Sequence, residues 1–170
     1  MMAHDNANNA GAKSMENDVK NAIHFETIQG LARQIQSGRL SPVALAERML
    51  ARIEAHDGRL KSYATVMAES ALAEARAAAA EIADGKYRGP LHGIPIAVKD
   101  LCFTKGVRTM GGLAVLADHV PDFDATVVVR LRAAGAVLLG KLNLTEGAMA
   151  GYNPKFDVPE NPWKESHWAG

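Results

Sequence analysis

The stretch from residue 89 to residue 100 constrains the fold most. Gly89-Pro90 breaks the helical pattern before it, and Ile94, Ile96, Ala97 and Val98 then form an apolar run too short for a helix. Bounded by turn residues, this run reads as a buried strand. Pro95 removes one ladder donor from it, so the strand is expected to carry a bulge or an unpaired side there. It also delivers Lys99 to its C-terminal end, the edge at which open α/β sheets bind ligands.

Helical patterns precede the strand. Phe25, Ile28, Leu31, Ala32 and Ile35 recur at helical spacing until Ser37-Gly38. Ser41-Pro42 supplies a cap and a pre-set φ for a second helix, whose apolar face is Leu45, Met49 and Ile53 and whose expected stop is Asp57-Gly58. Residues 62–67 read as a short strand, and the Ala-rich 68–83 as a helix closed by Asp84-Gly85. Downstream, Asp124 is expected to cap a helix through Ala134, although Thr126, Val127, Val128 and Val129 would also suit a strand. Residues 136–139 read as a further strand. Asn143 and Glu146 read as a capping pair for a short helix, and 153–162 as irregular. Strands alternating with helices imply an α/β fold.

Composition excludes several functions. Nineteen Lys plus Arg balance nineteen Asp plus Glu, so the basic footprint of a phosphate-neutralising protein is missing and direct nucleic-acid binding is not expected. The single cysteine, Cys102, cannot form an internal disulfide, and no Cys and His spacing resembles a zinc site. Residues 1–24 are rich in Asn, Ala and charge and have no signal-peptide apolar run; they are expected to be a disordered leader. Elsewhere charges or glycines interrupt every apolar stretch before the roughly 20 residues of a membrane helix. A cytoplasmic protein with no membrane attachment is expected.

Three groups of residues invite chemistry. Residues 135–141 follow the phosphate-loop pattern G-x-x-x-x-G-K, but Leu142 stands where a magnesium-binding hydroxyl is required and 136–139 is an apolar strand. Nucleotide binding is rejected. Cys102 near Lys99 could join a carboxylate in a Cys-based hydrolase set, yet a lone cysteine is usually a small buried hydrophobe. Lys99 is either a lysine whose stem passes the strand end into water or, once desolvated, a neutral amine able to act as a base near neutral pH.

A resemblance separates these readings. Gly89-Pro90-Leu91-His92-Gly93-Ile94-Pro95-Ile96-Ala97-Val98-Lys99-Asp100 strongly resembles the G-P-L-H-G-I-P-(I/V)-A-(I/V)-K-D stretch of amidase-signature enzymes. Thr104-Lys105-Gly106-Val107-Arg108-Thr109, Asp124-Ala125-Thr126-Val127-Val128, Ala134-Gly135-Ala136-Val137 with Gly140-Lys141-Leu142-Asn143, and Asn161-Pro162-Trp163 look like later family blocks in family order. The resemblance implies the N-terminal part of an α/β/α fold with a mixed sheet, preceded by a helical segment, so that 25–170 is an incomplete amidase domain. It also implies hydrolysis of an amide to an acid and an amine or ammonia, without metal or cofactor. In that family a neutral lysine takes a proton from a serine on a cis peptide, which takes one from the nucleophilic serine; the match assigns the base to Lys99.

Both family serines and the oxyanion loop belong to a Gly/Ser-rich block after the W-x-G seen here as Trp168-Ala169-Gly170. The chain by itself is therefore expected to be inactive. Leu113, where many relatives carry Ser, leaves the amide substrate undefined. Two alternatives stand beside the hydrolase. One is the amidase subunit of a glutamine-dependent tRNA amidotransferase, which brings a partner subunit; the other is a non-catalytic fragment that acts in binding or assembly. A homo-oligomer is compatible with either.

Overall fold

In the computed structural model, which describes residues 23–167 and 169, the first regular helix begins where a hydroxyl can cap it. The Gly30 N–H donates to the Thr27 side chain at 3.0 Å and sets α1 over Ile28–Gln36. Phe25, expected on this helix, instead lies in a 3-10 turn, Ile23–Phe25, and is 74% exposed. Apart from Ile23 and His24, the leader expected over 1–24 lies outside the described residues.

Ser41 caps α2, Pro42–Leu60, by accepting from the Val43 N–H, with Pro42 in the first turn. The helix runs past its expected stop at Asp57-Gly58. Asp57 shapes the exit instead: its carboxylate accepts from the Ser62 and Tyr63 N–H groups at 2.7 and 3.3 Å, and Lys61 closes the turn in the left-handed region at φ 53°. Strand β1, Tyr63–Val66, leads into α3, Ala68–Ala83, which ends at Asp84 and Gly85 as expected.

Strand β2 is Pro95–Lys99, α4 is Thr126–Ala133 and β3 is Val137–Leu142. The sheet order is β1-β3-β2, with β1 antiparallel and β2 parallel to β3, which makes it the expected mixed sheet. Parallel neighbours need a crossover, and α4 lies on it. Val137 and Leu139 pack against Ala46, Ala71 and Ala75 of α2 and α3, while the intervening Leu138 packs with Val98 against Val128 of α4. Successive β3 side chains thus meet different helical layers, as strand alternation requires.

The expected disturbance beside Pro95 is present. The β2–β3 register slips between Ile96 and Ala97, which pair with Leu138 and Gly140. Leu139, skipped by the slip, gives its carbonyl to the Met67 N–H at 2.8 Å, and the Leu138 N–H donates to Glu74 of α3 at 2.8 Å. A Cβ on Gly140 would collide with the Thr65 carbonyl and the Tyr63 ring, so β1 can lie this close only against glycine.

Two expected caps are replaced. Ala125, not Asp124, precedes α4; Asp124 accepts from the Lys105 N–H at 2.7 Å and pairs with Arg132, joining a distant loop to the helix. Asn143 donates to the Lys61 carbonyl at 2.8 Å, while Glu146 accepts from Asn153 at 2.9 Å. Both members of the expected pair are thus engaged elsewhere, and only a 3-10 turn, Glu146–Ala148, forms. Residues 153–162 are irregular as expected, and Trp163 beyond them is 92% exposed. Among the described residues no helix is long and apolar enough to cross a membrane.

Candidate active site

The parallel pair β2 and β3 ends with Lys99 opposite Leu142 and Val98 opposite Lys141. Lys99 is exposed, whereas the flanking Val98 and Asp100 are buried. Beyond the strand the chain turns sharply, with the Cys102 N–H donating to the Lys99 carbonyl at 2.9 Å.

Two loops meet Lys99-Asp100 at this strand end. The Asp100 N–H donates to the Leu142 carbonyl at 2.9 Å, and the Gly111 N–H donates to the Asp100 carbonyl at 3.0 Å. One Asp100 carboxylate oxygen accepts from the Met110 N–H at 2.8 Å; the other lies 3.2 Å from the Lys141 ammonium. Lys141 also donates to the Thr109 hydroxyl at 2.6 Å. The 109–112 loop in turn rests on 144–147: the Gly147 N–H donates to the Gly111 carbonyl at 2.8 Å, and a Cβ on Gly112 would press on the Leu144 and Thr145 carbonyls. The strand end that carries Lys99 is thereby walled by two loops tied to each other.

The sequence marks Lys141 as part of a rejected phosphate loop and of the family-like block 140–143, with no role assigned to it, yet the fold gives it a central place. It is fully buried, as are Asp100 and Thr109. Burial pushes its pKa down, and the Asp100 carboxylate works against that by favouring the charged form. Cys102 packs as a partly buried apolar side chain against the cluster of Met67, Val98, Val128 and Leu138, and the carboxylate nearest it in sequence, Asp100, is engaged by Lys141 and Met110.

His92, from the same 89–100 block, has a different job. It is 1% exposed; its Nδ1 accepts from the Arg88 N–H at 3.1 Å, and its Nε2 lies 3.2 Å from Glu81. Burial lowers its pKa, and Glu81 opposes that shift. The ring faces Gly135, not Lys99.

Comparison with known families supplies the identification. The family model described as Amidase matches residues 44–170. The chain belongs to the amidase signature family. The putative amidase AmiD of Mycobacterium tuberculosis (strain ATCC 25618 / H37Rv) is 51% identical over 151 residues, covering 89% of this chain and 32% of that protein. A glutamyl-tRNA(Gln) amidotransferase subunit of Anaeromyxobacter dehalogenans (strain 2CP-C) is 47% identical over 133 residues, covering 77% of this chain and 27% of its own length. The native peptide amidase of Stenotrophomonas maltophilia superposes with a TM-score of 0.78 at 36% identity, over 84% of this chain and 31% of that enzyme. The chain thus spans about a third of the length of the amidase relatives it matches.

Among the described serines, several have structural duties. Ser41 caps α2, while the hydroxyls of Ser37 and Ser70 donate to the Gln34 and Met67 carbonyls, both at 3.1 Å. Ser166 is exposed and its N–H donates to Glu160 at 3.3 Å. Of the W-x-G landmark, Trp168 and Gly170 lie outside the described residues.

Proposed function

We propose that this chain supplies the lysine of an amide hydrolase: Lys99 is the general base of a Ser–cisSer–Lys relay acting on a small-molecule amide. The observation that carries the reading is Lys99 itself, exposed at the C-terminal end of β2, a half-buried edge strand, and flanked by two interlocked loops, in a chain of this family. The nucleophilic serine, the bridging serine and the oxyanion donors would come from the Gly/Ser-rich block, outside residues 1–170. The chain alone would therefore be inactive. The base step withdraws a proton through the bridging serine as the nucleophile attacks the carbonyl; oxyanion donors hold the tetrahedral intermediate, an acyl-enzyme forms as the amine leaves, and water releases the acid. The residues belong to an incomplete amidase domain over 25–170, and the balanced charge and single cysteine favour a cytoplasmic enzyme that does not touch nucleic acid directly.

Single-turnover acylation by the protein encoded by the complete reading frame tests the base. Lys99→Ala is expected to slow acylation by about 10²–10⁴-fold. Lys99→Arg is expected to fail nearly as badly, because a guanidinium keeps its proton at any workable pH. An arginine variant acylating at close to the wild-type rate would end the general-base reading.

The 47% identity to a glutamyl-tRNA(Gln) amidotransferase component favours a second reading, in which the ammonia released passes to a substrate held by a partner subunit. Ammonia transfer, together with copurification of a second amidotransferase component, would select it; amide turnover by the protein alone, without such a component, would select the free hydrolase. A non-catalytic assembly role predicts no acylation in either form.

A further inference from the structure

Among the described residues, Lys141 is the largest side chain that is fully buried. A buried ammonium is costly unless it is paired, and even a well-paired one is often no more stabilising than an apolar side chain of similar volume. Stability alone thus gives little reason for a lysine here. What the lysine does is join three segments. It sits on β3, donates to Thr109 of the neighbouring loop at 2.6 Å, and pairs at 3.2 Å with Asp100, the residue directly after Lys99. Asp100 is held from every side: its N–H by Leu142, its carbonyl by Gly111, its carboxylate by Met110 and Lys141.

Lys99 is exposed and has a long, flexible side chain, so its aim depends on where its backbone is fixed. On one side that backbone is fixed by the ladder with β3, and on the other by Asp100. We propose that Lys141 and Asp100 are positioning residues for Lys99: their buried pair, completed by Thr109, locks the β2 terminus and the 109–111 loop into one arrangement. The proposal rests on the amidase reading for its catalytic consequence, and on the contacts alone for the lock.

The test uses the protein from the complete reading frame and compares Lys141→Met, Thr109→Val, and the double variant Asp100→Asn/Lys141→Met. Misplacement of a reacting group by about 1 Å commonly costs on the order of 10²-fold. Lys141→Met is accordingly expected to lower kcat by about 10–100-fold while KM changes by less than about threefold. The double variant removes both charges and is expected to regain thermal stability without regaining kcat. A merely structural pair predicts that rate returns with stability, and that result overturns the proposal. Should Lys141→Met fail to fold, Thr109→Val removes only the hydroxyl, which accepts from Lys141 at 2.6 Å and donates to the Val107 carbonyl at 3.1 Å, and a wild-type kcat in that variant overturns it equally. Amide hydrogen exchange at Met110 and Gly111 reads the lock without activity: faster exchange in the Lys141 or Thr109 variant supports it, and unchanged protection overturns it. If wild type and Lys99→Ala acylate equally, or not at all, the amidase reading fails, while the exchange result still decides the lock.

Discussion

Gly135→Ala should damage this protein far more than the addition of one methyl group suggests. Gly135 sits at φ +79°, in the turn between α4 and β3, and its carbonyl accepts from the Gly93 N–H at 2.8 Å. A side chain in the left-handed region costs about 1–2 kcal/mol. The new Cβ would also strike the His92 ring. That ring cannot easily swing aside, because Arg88 and Glu81 engage its two nitrogens. Forcing an extra carbon into such packing costs about 1–3 kcal/mol. The two terms together predict a loss of about 2–5 kcal/mol, or roughly 4–20 °C in melting temperature for a chain of this size. Urea unfolding followed by far-ultraviolet circular dichroism of the helices would measure it, with an unchanged m-value showing that stability alone has moved. Adding His92→Ala should relieve only the steric share, leaving a coupling of about 0.5–3 kcal/mol in the double-mutant cycle. A loss below about 0.5 kcal/mol for Gly135→Ala would refute both parts of the reasoning.

The same substitution at Gly58 should have the opposite sign. Gly58 lies inside α2, exposed and with open space where a Cβ would go, so Gly58→Ala should stabilise by about 0.5–1 kcal/mol in the same urea assay. His92 predicts a pH dependence: burial holds its folded pKa below the ordinary 6.5, so the unfolded chain gains a proton first as pH falls. Its contribution is fully present above that ordinary value and is lost as pH drops below it; melting temperatures between about pH 8 and pH 5 should show the fall, reduced in His92→Gln, and equal slopes in the two proteins would remove His92 as a cause.

The parts of the fold legible in the sequence are those fixed by neighbours in the chain. Ser41-Pro42 specifies a helix start through its own hydroxyl and ring, and the short apolar run ending at Lys99 specifies a strand through its length and its flanking turns. Asp57, Asp124 and Asn143 depart from their expected roles for one shared reason. Each has a side chain able to cap locally, but each is claimed by a backbone group elsewhere: Ser62 and Tyr63 in the turn that leaves α2 for Asp57, and groups brought up by the tertiary fold for Asp124 (Lys105) and Asn143 (Lys61). Capping residues are interchangeable in what they can bind, so the sequence states the capacity and the topology decides the partner. The candidate site divides in the same way. The motif itself marks Lys99, whereas Lys141 becomes meaningful only when β3 lies parallel to β2 and brings its ammonium to Asp100, 41 positions earlier in the chain. A strand lysine between Gly140 and Leu142 carries no local sign of burial, since lysine ordinarily sits in water. The residues that hold a functional group in place are thus harder to read than the group itself, because their partners are chosen by sheet pairing and not by spacing.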